Sequence, residues 1–321
     1  MQVKLTLIAA AAAAVLFAAG VSAQDMVVKI GHVGPTSGGI AHLGKDNENG
    51  ARMAIEELNA KGTTIGGKKV KFELLAEDDA ADPKQGTAVA QKLVDSKVNG
   101  VIGHLNSGTS IPASKIYSDA GIPQISPSAT NPKFTRNGYK TTFRVVADDV
   151  HLGGTLGRYA VKELKGKSIA VIDDRTAYGQ GVAEEFEKAV KASGGSVAER
   201  QFTTDKATDF TAILTAVKSK NPDVVFFGGM DDFYKRFKAK YNVEVQVYAP
   251  YVYDAVNVMV AAMVKAGSAE PAKYLPVLAK TEGYQGVTGT IAFDAKGDIK
   301  NGALTLFTYK GDKREQIAVV R

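Results

Sequence analysis

Two stretches of the chain end an apolar run in small hydroxyl side chains: "VIGHLNSGTS" (101–110) and "IPQISPSATNP" (122–132). Ser107, Thr109 and Ser110 close the first, and Ser126, Ser128 and Thr130 the second. Short hydroxyls and nearly bare backbone hold a small charged molecule by neutral hydrogen bonds. Gly108 lets the main chain approach closely. Such groups do no nucleophilic chemistry without a base beside them. The same residue types also cap helices and form turns, so residue identity alone leaves both roles open. Other templates are missing. No Walker loop, dinucleotide fingerprint, G-x-S-x-G elbow or H-E-x-x-H occurs. His32, His42, His104 and His151 lack metal-ligand spacing and read as local hydrogen-bonding residues. "EDDAAD" (77–82) reads as a solvated loop leading to a helix cap. "FDAKGD" (293–298) lacks the glutamate of a calcium loop and reads as a β-turn.

The elements around these residues alternate. "MVVKIGHV" is a strand, 40–61 a helix with Ala51, Ala54, Ile55 and Leu58 on one face, and "KVKFELLAEDDA" a strand. A helix follows, with Asp82 as N-cap and Pro83 in its first turn. "NGVIGHL", "TSIPASKIYSDAG" and "IPQIS" read strand, helix, strand. The pattern restarts with a helix at about 152–165, then "KSIAVIDD", "YGQGVAEEFEKAVKASGG", "SVAERQFT", "DFTAILTAVKSKN" and "PDVVFFGG". Near-continuous apolar strands alternating with helices predict parallel sheets covered on both faces. Helices over "DDFYKRFKAKYN", "YAPYVYDAVNVMVAAMVKAG" and "AKYLPVLAK" and C-terminal hairpins complete the pattern. In doubly wound sheets ligands sit beyond the carboxyl ends of strands, where both hydroxyl clusters fall. Residues 107–110 also open a helix, whose free N–H groups and dipole favour a carboxylate or phosphate.

A chain of 321 residues with 45% hydrophobic and 23% charged side chains suits two globular domains. Residues 1–23 read as a signal peptide cleaved after Ala23: a basic start, a short alanine-rich run and small residues at Val21 and Ala23. Export with removal of this segment follows. The chain has no cysteine, which excludes disulfides and thiolate chemistry. The net charge of +6 comes from basic residues interspersed with acidic ones, so no nucleic-acid partner is expected.

The openings "GPTSGGIAHLGKDNENGARMAIEELNAKGTTIGG" and "DDAADPKQGTAVAQKLV", with "VIGHLNSGTSIPAS", "ISPSATNP", "DDRTAYGQG" and "GVTGTIAFDAKGDIKNG", resemble the periplasmic branched-chain amino-acid-binding proteins of ABC importers. The resemblance spans nearly all the chain after residue 23. It implies a type I periplasmic binding protein fold: α/β, two doubly wound parallel-sheet lobes with a ligand cleft between them. One lobe would hold 24–143 plus about 245–300, the other 144–232 plus about 301–321. Ser107 and the Thr130 amide would take the ligand carboxylate. The Ser128 carbonyl and Thr130 hydroxyl would accept from its ammonium, and Tyr178 would close over it. Leu43, Ala129 and Met230 complete the implied binding set. Relatives often carry a disulfide at the positions of Ala81 and Asn106, which this chain lacks.

After "FFGGM" the chain runs directly into "DDFYKRFKAKYNVEVQVYAPYVYDAV", which matches a later part of the family. About two strand–helix units, roughly 60 residues, are missing. They normally supply second-lobe strands, a crossing segment and an acid that pairs with the ammonium. Asp231 or Asp232 is the candidate replacement acid. The shortened lobe is expected to keep "SIAVIDD", "VAERQF", "VVFFGG" and "ALTLFTY", with one edge bared and binding weakened. The expectation is a monomeric, non-enzymatic, cofactor- and metal-free carrier. It delivers a neutral, branched-chain aliphatic amino acid to an inner-membrane ABC permease. The alternative is a non-transporting remnant, or an interaction or sensor protein, with a damaged second lobe.

Overall fold

The structure, a computed structural model, describes residues 25–204, 206–207, 209–229, 247–310 and 313–320. Its larger sheet has six strands in the order β2-β3-β1-β4-β5-β6. These are β1 (Met26–Gly34), β2 (Thr64–Ile65), β3 (Lys68–Asp78), β4 (Gly100–Gly103), β5 (Gln124–Ser126) and β6 (Thr142–Arg144). All neighbours are parallel except β2, which turns back onto β3. α1 (Ala41–Ala60) buries Ala51, Ala54, Ile55 and Leu58, the stripe its periodicity predicts. α2 (Pro83–Asp95) starts at Asp82, whose carboxylate accepts from Lys84 and Gln85 N–H. Val89, Ala90 and Leu93 of α2 pack with Ala113 and Tyr117 of α3 (Ser107–Asp119) on one side of the sheet. Fully burying a side chain such as Leu93 contributes about 1.5–3 kcal/mol.

The second sheet is small, in the order β8-β7-β9 and parallel throughout. It comprises β7 (Ser168–Asp173), β8 (Ser196–Phe202) and β9 (Val224–Gly228). α5 (Asp149–Lys162) and α6 (Ala177–Ala192) cover one side, where Phe186 stacks on Phe226 at 3.9 Å. Val217 of α7 (Thr211–Ser219) packs on Ala170 and Ile172 on the other. The short α4 (Lys133–Arg136) lies between β5 and β6. α5 begins three residues earlier than its periodicity implies, because Asp148 caps it by accepting from His151 N–H. Among the described residues β9 is an edge of this sheet, and Val225 is 51% and Phe227 45% exposed.

α8 (Ala249–Ala266) and α9 (Pro271–Leu278) return to the first sheet, where Val252, Val256, Met259, Met263, Tyr274 and Leu278 join the largest core. Gly50 lets α8 cross α1 closely, since a Cβ there would meet the Ala249 carbonyl oxygen at 2.4 Å. β10 (Tyr284–Gly286) and β11 (Gly289–Ile291) form a hairpin, as do β12 (Leu304–Lys310) and β13 (Lys313–Val320). The two hairpins match the period-two pattern. The expectation that "ALTLFTY" joins the second-lobe sheet does not hold: among the described residues β12 pairs only with β13. The pattern specified a strand but not its partner, and β13 supplies a local antiparallel one. The helix expected over "DDFYKRFKAKYN" lies outside the described residues, as does the N-terminal stretch 1–23. Among the described residues no helix is long and apolar enough to cross a membrane.

Candidate functional site

The hydroxyl clusters meet. Asn106 enters α3 with extended backbone (φ −79°, ψ 142°) and puts Ser107 at the first helical position. Ser107 Oγ accepts from Asn131 N–H at 3.2 Å. Ser128 Oγ donates to the Leu105 carbonyl at 2.9 Å. Ser126 Oγ donates to the His104 carbonyl at 2.9 Å and accepts from Ala129 N–H at 2.9 Å. Three of the six hydroxyls, those of Ser107, Ser126 and Ser128, therefore splice the β4 and β5 loops together, and the open backbone at the start of α3 faces the cavity beside them. A Cβ at Gly108 would meet nothing within 4 Å, so the start of α3 is open.

A cavity of about 180 Å³ lies there. Leu105, Asn106, Ser107 and Ser128 form one wall; Tyr178 and Gly229, beside the second sheet, form the other, and Tyr248 closes the side. It is smaller than the roughly 300 Å³ at which pockets for drug-sized ligands begin, which suits a small metabolite. Tyr178 stands in the first turn of α6, where Thr176 Oγ1 caps by accepting from Gly179 N–H at 3.0 Å. Tyr248 is placed by α1: Asp46 accepts from the N–H groups of Tyr248 (3.0 Å) and Ala249 (2.9 Å), capping α8 from another helix. Burial raises both phenols above their ordinary pKa, and Tyr248, Asp149 and Asp174 add to the rise at Tyr178. Both tyrosines stay neutral hydrogen-bonding groups.

Under the first wall, His104 and Asp79 are fully buried and bonded at 2.9 Å, and the other ring nitrogen of His104 meets Tyr117 Oη at 3.1 Å. Burial alone would raise the Asp79 pKa, but the His104 and Ala81 N–H contacts lower it on balance. His32 departs from the sequence reading: it is fully buried, neither ring nitrogen makes a well-formed hydrogen bond, and burial pulls its pKa down to about 4. Asp149 is also fully buried, and neither carboxylate oxygen makes a well-formed hydrogen bond. Burial pushes its pKa up to about 7, against the opposing influence of the Thr130 hydroxyl and the Arg144 charge. Its N–H donates to the Thr130 carbonyl at 2.8 Å.

Of the expected binding residues, Ser107, Ser128 and Tyr178 line the cavity. Ala129 and Thr130 belong to the same loop as Ser128 but do not line it. Leu43 is half-buried on α1 and outside the lining. Met230, Asp231 and Asp232 lie outside the described residues. Leu105, Asn106, Gly229 and Tyr248 were not anticipated. Leu105 and Asn106 adjoin the quoted cluster, but Tyr248 comes from a helix start some 120 residues beyond Ser128, with no local signal. A neighbouring groove of about 460 Å³ runs between Lys133 and α6, with Arg175, Glu184 and Lys188 on its rim and Asn131 Nδ2 bonded to the Ala177 carbonyl at 2.5 Å. Two of its lining charges, Lys188 and Glu185, pair with each other at 2.6 Å. Among the described residues no cluster could hold a metal ion.

The arrangement is a cavity between two parallel-sheet units, lined by hydroxyl, phenol and main-chain groups among the described residues. Comparison with known proteins agrees. The family model described as periplasmic binding protein matches residues 27–231, stopping where the sequence pattern breaks. The chain is 31% identical to the leucine-, isoleucine-, valine-, threonine- and alanine-binding protein of Pseudomonas aeruginosa, covering 96% of each chain. That alignment spans 365 positions, more than this chain's 321 residues, so the relative has segments absent here. The chain is 39% identical to the leucine-specific-binding protein of Salmonella typhimurium over 71% of this chain and 61% of that one. Among solved structures, a leucine binding protein from Thermotoga maritima superposes with TM-score 0.80 at 25% identity, covering 91% and 98% of the two chains. A substrate-binding protein from Streptococcus pneumoniae in complex with isoleucine gives 0.78 at 26%, covering 92% and 99%. With the sheet order, the two-walled cavity and these matches together, the chain belongs to the periplasmic binding protein family and has its type I fold, with a second sheet of only three described strands.

Proposed function

We propose that the protein captures a neutral, branched-chain aliphatic amino acid in the periplasm and presents it, as a monomer, to an inner-membrane ABC permease. The observation that carries this reading is the cavity shared by Ser107 and Ser128 on one side and Tyr178 on the other. The α-carboxylate sits at the N-terminus of α3, where N–H groups and the helix dipole stabilise negative charge. The ammonium is taken at Ser128, the residue of the 128–130 loop that lines the cavity. Contacts from both walls exist together only when the lobes are closed, so the ligand shifts the population toward the closed form by its differential affinity. No bond is made or broken.

Binding is tested by thermal unfolding with a panel of amino acids. A ligand at 100 times its Kd adds about 2.7 kcal/mol to folding stability. Leucine, isoleucine or valine is expected to raise the melting temperature, and glutamate and lysine are not. A second reading, a remnant or sensor with weakened binding, is favoured by the exposed apolar side chains Val225 and Phe227 on β9, which pairs on one side only among the described residues. A folded protein whose melting temperature no amino acid moves would select it.

A further inference from the structure

The binding loop is held from behind by one buried cation. Arg144, at the end of β6, is fully buried, and Asp298, from the turn after β11, is 9% exposed. Arg144 Nε donates to Asp298 Oδ1 at 2.6 Å. Its Nη1 donates to the Ala129 carbonyl at 2.6 Å, and its Nη2 to the Asn131 carbonyl at 3.0 Å and Thr135 Oγ1 at 2.9 Å. Thr135 Oγ1 donates in turn to Asp298 Oδ1 at 2.7 Å. The carbonyls on either side of Thr130 are therefore pinned by one planar fork, and the Thr130 carbonyl between them takes the Asp149 N–H.

The same residue sits where the chain leaves the first sheet for the second, since residues 145–148 join β6 to α5. Its own N–H donates to the Gly297 carbonyl at 2.9 Å. Gly297 has φ +89°, and a Cβ there would fall 2.1 Å from the Thr142 carbonyl oxygen, so only glycine lets this turn approach β6. Asp298 is fixed by donating its N–H to Asp294 Oδ1 at 2.9 Å. The segment "FDAKGD" thus places one carboxylate beneath the binding loop.

We propose that Arg144, oriented by Asp298, is a positioning residue that sets the backbone of 129–131, and through it Ser128 on the cavity wall, and ties that loop to the two chain segments at the lobe junction, 145–149 and 294–298. The ligand half of this inference rests on the function proposed above; the loop half does not. A lysine keeps the charge but loses the planar fork, and a single ammonium does not hold two carbonyls, a hydroxyl and a carboxylate in these directions.

The test compares wild type with Arg144→Lys and Thr135→Val by amide hydrogen exchange, with and without leucine, and by leucine calorimetry. In Arg144→Lys, exchange at 129–131 is expected to speed at least tenfold while β1 and β4 keep wild-type protection. Leucine affinity is expected to fall at least tenfold, and leucine-induced protection at 297–298, present in wild type, to vanish. Thr135→Val is expected to shift 129–131 in the same direction by a smaller factor, and it carries the test alone if Arg144→Lys does not fold. Unchanged exchange at 129–131 overturns the proposal. Protection lost uniformly through β1, β4 and β6 also overturns it, by making Arg144 a general stabiliser. If wild type binds no amino acid, the functional reading fails, and the exchange pattern still decides the role of Arg144.

Discussion

Replacing Asp149 by Asn should change how stability depends on pH. Asp149 is fully buried, and burial raises its pKa from 3.8 to about 7. Arg144 from β6 and the Thr130 hydroxyl pull it down, while Asp148 and Glu185 of α6 push it up. The folded state holds this proton more tightly than the unfolded chain. Between pH 4 and 7 it therefore binds more protons than the unfolded state, and stability falls as pH rises. At 1.36 kcal/mol per unit, a shift of about three units corresponds to up to about 4 kcal/mol. This stability is fully present below pH 3.8 and is lost as pH rises through 7. Asn resembles the protonated acid and does not titrate. Urea unfolding at pH 4, 5.5, 7 and 8 should give nearly equal stability for wild type and Asp149→Asn at pH 4. At pH 8 the variant should be more stable by up to about 4 kcal/mol. Taking the difference between the two proteins cancels the other titrating groups. A difference that stays constant from pH 4 to 8 would refute the reasoning.

Three more outcomes follow from the geometry. Ser107→Ala should weaken leucine binding more than Thr130→Ala, because Ser107 lines the cavity at the start of α3 and Thr130 does not, and a hydrogen bond to a charged group is worth about 1.5–3 kcal/mol; equal calorimetric affinity of Ser107→Ala and wild type would remove Ser107 from the site. Tyr178→Ala should speed leucine dissociation more than it slows association, since Tyr178 stands on the opposite wall from Ser107 and Ser128; stopped-flow data placing the effect in association would contradict this. Gly50→Ala should cost about 1–3 kcal/mol by overpacking, since the new methyl meets backbone of α8 and not a movable side chain; an unchanged urea midpoint would show that the α1–α8 crossing yields freely.

Local pattern made most of this fold legible. The stripe Ala51, Ala54, Ile55, Leu58 identified both α1 and its buried face, and Asp82 with Pro83 marked the start of α2. Hydroxyls at two strand ends pointed to the cavity because strand order in such sheets brings those ends together. Two kinds of information were not local. Partner choice was one: β12 reads as a strand whether it joins a sheet or a hairpin. The other was support assembled from distant segments. Tyr248 reaches the cavity through an Asp46 cap about 200 positions away in the chain, and Asp298, in a stretch that reads as a plain turn, anchors Arg144. A carboxylate in a turn looks the same in sequence whether it faces water or a buried guanidinium. Asp149 was equally hidden, since an acid beside a helix cap ordinarily lies in solvent.

Calorimetric titration of the folded wild-type protein with leucine tests the central claim most directly. A saturable isotherm with one site per chain, competed by isoleucine and valine and weakened by Tyr178→Ala, is the predicted result, because the ligand must touch both walls of the cavity. No saturable heat with leucine, isoleucine or valine, from protein whose circular dichroism shows it folded, would contradict it.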